Sequence, residues 1–159
     1  MKAYMCQDYE TATMAELLGQ NLQYGLRNTT KEVPLEEEIH QLNIYRAILA
    51  YQYNERIQFN ICIDRELYSC HVLKLVFQPI VENAFIHGLE EKNGNGTIKI
   101  SGILNDEEET VLFMIHDNGV GMTRAQIEKA LDPPPGTKGS FGLSSVHKRL
   151  QLLYGTDFG

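Results

Sequence analysis

Apolar residues recur at three- and four-residue steps from about Tyr9 to Arg27, where Met14, Leu17, Leu18, Leu22 and Leu26 mark one face of an amphipathic helix. Asn28, Thr29 and Thr30 end it. A second helix is predicted from Pro34 to about Asn54, since proline suits a first-turn position and Glu36, Glu37 and Glu38 complement the positive end of the helix dipole. Its stripe of Ile39, Leu42, Tyr45, Ile48 and Leu49 predicts that the two helices pair as a hairpin. At Arg56 the period changes to two: Ile57, Phe59, Ile61 and Ile63 alternate with Gln58, Asn60 and Cys62, as in a half-buried strand. Val72 to His87 is apolar almost all round and reads as one buried helix, with a kink or restart at Pro79. Two alternating runs, Thr97 to Leu104 and Thr110 to His116, predict a strand hairpin across the acidic turn Asn105 to Glu109. A helix over 123–131, a Pro/Gly-rich loop over 132–142 and a helix from about Leu143 to Tyr154 follow.

Length and charge narrow this picture. With 159 residues, 43% of them hydrophobic, the chain has enough material for one domain with a core plus a short appendage, the hairpin. A formal net charge of −7 and the lack of any basic stripe argue against nucleic acid as a partner. Cys6, Cys62 and Cys70 have neither disulfide-framework nor zinc-ligand spacing, which fits a reducing cytoplasm. No apolar run approaches the roughly 20 residues that span a bilayer, and Met1 to Glu10 lack a signal-peptide pattern. Membrane attachment is expected only through segments upstream of Met1.

Three clusters carry candidate chemistry. In Gln78 to Gly88, the polar side chains Glu82, Asn83 and His87 interrupt an apolar helix; they suit one edge of a pocket, although a helix end capped by Gly88 explains the same residues. In Asp117 to Met122, an acceptor-only carboxylate ends a strand, and Gly119 and Gly121 let a ligand approach the backbone; an adenine amine is a donor that such a carboxylate can hold. A plain Asp-Asn-Gly turn is the alternative. In Gly136 to Val146, a loop feeds a helix start whose free amides favour phosphate, with Lys138 as a mobile charge; an ordinary surface loop fits as well. The order and spacing of all three are more specific than any one of them.

Taken together, the clusters resemble the GHKL ATPases (gyrase, heat-shock chaperone, histidine kinase and mismatch-repair ATPase superfamily), and within them the autolysin-sensor-like branch of sensor histidine kinases. Gln78 to Gly88 is similar to the N box, Asp117 to Met122 to the G1 box, and Gly139 to Leu143 with Val146 and Arg149 to the G2 box. The resemblance implies an α+β fold, a two-layer sandwich of a sheet against three helices, with the helical hairpin (1–55) as a remnant of the dimerisation and phosphoacceptor region. Residues 56–159 would form an ATP-binding domain that lacks its last strands. It further implies that Asn83 coordinates Mg2+ and that Glu82 is the acid/base or water-orienting carboxylate. His87 would lie near the phosphates, Asp117 would hold the adenine amine, Gly119 and Gly121 would make room for the base, and Gly142 and Leu143 would line the phosphate chain.

Two departures stand in the third cluster, where Ser140 replaces a glycine and Ser145 an asparagine of the family pattern. None of His40, His71, His87, His116 or His147 has the N-P-H-F context of the family's phosphoacceptor. The expected activity is therefore ATP-dependent phosphorylation of a histidine outside the chain, within a homodimeric parent that serves a response regulator. A regulatory binding module, anti-sigma kinase-like or a pseudokinase, is the competing expectation.

Overall fold

Alternation over Ile57–Ile63 builds strand β2 in the computed structural model, which describes residues 2–27, 31–53, 56–90, 95–105, 110–134 and 141–159. The other strands are β1 (Glu32–Pro34), β3 (His71–Leu73), β4 (Gly96–Asn105) and β5 (Thr110–Asp117). The helices are α1 (Lys2–Leu26), α2 (Leu35–Tyr53), α3 (Phe77–Asn83), α4 (Arg124–Leu131) and α5 (Phe141–Tyr154). A 3-10 turn covers Arg65–Ser69, and α3 runs on into a π-helical turn, Ala84–Leu89.

Strand β4 is the centre of a mixed sheet, parallel to β2 and antiparallel to β5. Ile98 and Ile100 of β4 are fully buried, with Phe59 and Ile61 beside them on β2 and Ile115 opposite Ile100 on β5. Helices α2, α3 and α5 cover this face: Leu35, Leu42, Phe77, Val81 and Val146 join the same core. Burying a side chain of this kind stabilises by roughly 1.5–3 kcal/mol. Gln58, Asn60, Lys99 and His116 look away from the helices and are exposed. The fold is thus the expected two-layer α+β sandwich.

Three expectations change. Val72 and Leu73 form β3, paired antiparallel with β1 through Val33 and Val72, so the helix starts only at Phe77. Pro79 then falls in the first turn of α3, where its missing N–H has no intrahelical partner to lose, so the helix accommodates it next to its start. The hairpin also packs differently. On α1, Leu18, Leu22 and Leu26 are 45%, 66% and 77% exposed, and among the described residues the one buried against α2 is Tyr24. Helix α2 is buried on most sides, and Ile39, Leu42, Tyr45 and Leu49 share one core with the sheet.

Candidate functional site

Helix α3 is held by one face, since Phe77, Val81, Ala84 and Phe85 are buried while Glu82, Ile86 and His87 are exposed and Asn83 is half-buried. The polar residues of the first cluster therefore stand on the open side of an anchored helix. The turn that follows is wound i to i+5, with Glu90 N donating to Phe85 O at 2.9 Å. Single π turns inside helices recur at functional sites because they re-aim side chains and free backbone groups. The Asn83 amide makes no cap bond to this turn. On α2, burial first, and then the charge of Glu82, push the Tyr45 phenol well above the ordinary tyrosine range.

The second cluster is seated by backbone contacts. Asp117 ends β5 opposite Ile98, and its Oδ1 accepts from Gly119 N at 2.8 Å. Asn118 clips the same loop to the start of β4: its N–H donates to Thr97 O at 3.2 Å, and its Oδ1 accepts from Thr97 N at 2.9 Å. Val120 N donates to Gly88 O at 3.0 Å. A Cβ on Gly119 would stand 2.5 Å from Gly88 Cα, C and O, and one on Gly88 would stand 3.0 Å from Asp117 Oδ1. Glycine at both positions lets the end of the first cluster touch the second. Gly121 has a different reason: its φ of 74° lies in the left-handed region, and the space around it is open.

The third cluster meets the first at its helix start. A Cβ on Gly142 would lie 3.6 Å from Pro79 Cβ, so α5 begins beside the first turn of α3. Leu143 is half-buried, while Ser144 and Val146 are buried and anchor α5. Arg149, the last residue of the resemblance, has a structural partner: its Nη2 donates to Lys74 O at 2.6 Å. Lys138 lies outside the described residues, as does all of 135–140. An exposed pair, Lys148 Nζ to Asp132 Oδ1 at 3.3 Å, links α5 to the end of α4 and is worth at most about 1 kcal/mol.

The structure thus joins Gly88 to Asp117 and Gly119 at the end of the helical run that carries Glu82, Asn83 and His87, with Gly142, followed by Leu143, beside the first turn of that run. Sequence reasoning gave no role to Asn118 and read Gly88 only as a helix cap. Their signal is three-dimensional, because both act through backbone atoms of other segments. Chemically the group offers an acceptor carboxylate at one end and, at the other, a neutral amide oxygen beside a carboxylate. A hard divalent cation shared with phosphate takes a few oxygen ligands of this sort from protein, and the half-buried Asn83 amide, which makes no cap bond, fits that demand.

The sequence profile of the family described as histidine kinase-, DNA gyrase B-, and HSP90-like ATPase matches residues 71–158. The chain is 31% identical over 140 residues to the sensor histidine kinase YpdA of Escherichia coli (strain K12), covering 87% of this chain and 24% of that protein. It is 29% identical over 147 residues to an uncharacterized sensor-like histidine kinase of Staphylococcus epidermidis, covering 91% and 28%. Against the sensor protein kinase HptS of Staphylococcus aureus the identity is 26% over 147 residues, again covering 91% and 28%. The chain spans about a quarter of the length of these curated relatives. Among solved structures, the histidine kinase domain of the blue-light activated histidine kinase from Erythrobacter litoralis EL346 has the same fold. The TM-score is 0.52 at 19% identity, covering 89% of this chain and 65% of that one.

Proposed function

Because this chain belongs to the histidine kinase-, DNA gyrase B-, and HSP90-like ATPases, and the match spans all three clusters, we propose that it is the ATP-binding catalytic part of a two-component sensor histidine kinase. It transfers the γ-phosphate of ATP to a histidine outside residues 1–159. The observation that carries this reading is the backbone contact between Gly88 and Gly119, which draws Asp117 to the helix bearing Glu82, Asn83 and His87. An adenine acceptor and a phosphate-side amide in one site form the arrangement that a nucleotide needs.

Asp117 Oδ1 is committed to the loop through Gly119 N, which leaves the second carboxylate oxygen to accept from the adenine amine. The loop residues Gly119 and Gly121 keep the base side free of side chains. At the other end, Gly142 and Leu143 open α5, whose first amides face the phosphate chain, and Lys138, outside the described residues, is the proposed cation for it. Asn83 offers a neutral oxygen to Mg2+, which when bound neutralises phosphate charge. In the transfer itself, the bond from the γ-phosphorus to the ADP oxygen breaks as the imidazole nitrogen–phosphorus bond forms. Glu82 accepts the proton that the imidazole releases, and His87 stands beside the phosphates.

The names of the relatives support a sensor as the parent, and a response regulator is the downstream partner that the two-component reading implies. In functional terms, 1–55 is the remnant of the dimerisation and phosphoacceptor region and 56–159 the nucleotide-binding part. Exposed Leu18, Leu22 and Leu26 on α1 support pairing as a homodimer in the parent. No helix among the described residues is long and apolar enough to cross a membrane; attachment through upstream segments, with this part on the cytoplasmic side, completes the proposal. Titration with a non-hydrolysable ATP analogue, with and without Mg2+ and against the GTP analogue, tests it. Saturable, Mg2+-enhanced binding that favours adenine is expected, and its absence overturns the reading.

A further inference from the structure

Glu38 is a charged residue that the nucleotide site does not use, and it is only 2% exposed. Its carboxylate accepts three hydrogen bonds from two other segments: Tyr24 Oη at 2.7 Å and Leu75 N at 2.7 Å on Oε1, and Val76 N at 3.1 Å on Oε2. The two amides belong to the turn Lys74–Val76 that leads directly into α3. Val76 is the N-cap of α3 and makes no side-chain cap bond of its own. Glu38 instead holds, from another helix, the amides of the N-cap residue and of the residue before it.

The turn needs such an anchor. Leu75 has a φ of 57°, in the left-handed region that a branched side chain avoids. Around it, Lys74 Nζ donates to Arg27 O at 2.5 Å and sits 4.7 Å over the Tyr24 ring, and Arg149 of α5 donates to Lys74 O. Helices α1, α2, α3 and α5 therefore meet at three residues, and two of these helices carry the site. Burial and the neighbouring Glu38 push the Tyr24 phenol well above its ordinary range, so its hydroxyl keeps the proton it donates.

We propose that Glu38 is a positioning residue for the phosphate side of the nucleotide site, and that Tyr24 makes its hold on the turn before α3 depend on where α1 sits. The proposal rests on the reading of Glu82 and Asn83 as phosphate-side residues. Oε1 serves Tyr24 and Leu75 at once. If α1 shifts and removes the hydroxyl, a buried carboxylate loses one of three donors, and the strained turn loses the fixed oxygen that holds it. Helix α3 then moves at its Phe77 end relative to β5, whose tie to Thr97 through Asn118 does not pass through Glu38.

The test compares the full chain with Tyr24→Phe and Glu38→Gln by amide hydrogen exchange without ligand and by titration with adenosine and with a Mg2+–ATP analogue. Expected are faster exchange over Phe77–Leu89 with β4 and β5 unchanged, and a Mg2+–ATP analogue affinity lower by about tenfold in Glu38→Gln, the scale of one lost bond to a charged group. Tyr24→Phe shifts both readouts the same way by less, and adenosine affinity stays within about twofold, because a purely structural loss lowers both ligands together. Unchanged exchange over Phe77–Leu89 in both variants overturns the positioning role, as does a proportional loss of both ligands. Should Glu38→Gln not fold, Tyr24→Phe, which leaves both turn amides bonded, decides alone. Faster exchange at α3 in variants of a chain whose wild type binds adenosine with no gain from Mg2+ and triphosphate overturns the phosphate-side reading and leaves the anchoring of α3 standing.

Discussion

Gly119 packs on Gly88 so closely that a Cβ at position 119 would stand 2.5 Å from the Gly88 Cα, carbonyl carbon and carbonyl oxygen. Backbone, unlike a flexible side chain, has no rotamer into which to retreat. This contact joins the strand-end carboxylate to the helix carrying the amide, so the two halves of the site stay aligned only while position 119 is glycine.

Gly119→Ala is accordingly expected to lower stability by about 1–3 kcal/mol, the usual range for overpacking, and to weaken nucleotide binding with it. Gly121→Ala meets open space but a left-handed φ of 74°, so it costs about 1 kcal/mol, and Gly121→Asn less. Urea unfolding of the three variants checks these values; a Gly119→Ala variant as stable as wild type would contradict the contact.

Asp117→Ala removes both the adenine acceptor and the loop bond to Gly119 N. ATP-analogue affinity is expected to fall by roughly tenfold to a hundredfold, the weight of a hydrogen bond to a charged group. Asp117→Asn tests the chemistry more closely, because its amide oxygen can keep the loop bond while its NH2 opposes the adenine amine. Calorimetric titration of both is the measurement, and wild-type affinity in either would remove Asp117 from the adenine site.

For Asn83→Ala, the loss is expected in the Mg2+-dependent part of binding. Affinity measured in a chelator should stay within about twofold of wild type, whereas the gain on adding Mg2+ should shrink severalfold, as one neutral oxygen ligand of an otherwise water- and phosphate-bound ion disappears. Phosphorylation of an acceptor-helix protein supplied in trans should fall further than binding. A full Mg2+ gain in the variant would exclude Asn83 as a ligand.

Tyr24, Tyr45 and Tyr154 set an alkaline limit on stability. Burial is the first cause at each, followed by Glu38, Glu82 and Glu32 respectively, and each raises the phenol above the ordinary value of 10.0. A folded-state pKa raised above the unfolded one gives stability that is complete below pH 10.0 and is lost as the pH rises through and beyond that value. Urea midpoints from about pH 8 to about pH 11 should hold steady and then drop, with a shallower drop in Tyr24→Phe. An alkaline limb identical in the variant would show that Tyr24 does not contribute.

On α1, Leu22 is 66% exposed, one turn from Leu18 and Leu26. If these residues pair two chains, Leu22→Glu shifts sedimentation toward the monomer at fixed concentration while leaving nucleotide affinity unchanged. Monomeric wild type, or a dimer indifferent to the change, would assign the stripe elsewhere.

Much of this was legible from residue order. Periods of two and of three to four residues located β2, β4, β5, α1 and α2, because burial of one face imposes those periods whatever the partner. The three polar clusters were also visible, since polar side chains and paired glycines break an apolar pattern wherever a ligand or a turn is needed. Only tertiary structure decided the rest. Val72 and Leu73 read as helix because an apolar run has no period of its own, and their pairing with Val33 made them a strand. Glu38 looked like its neighbours Glu36 and Glu37, three carboxylates suited to a first helical turn; the amides of Leu75 and Val76, far along the chain, made one of them a buried anchor. Gly88 and Asn118 likewise act on backbone atoms of distant segments. Sequence records which positions prefer water, but which backbone will arrive opposite a given side chain depends on how the helices settle on the sheet.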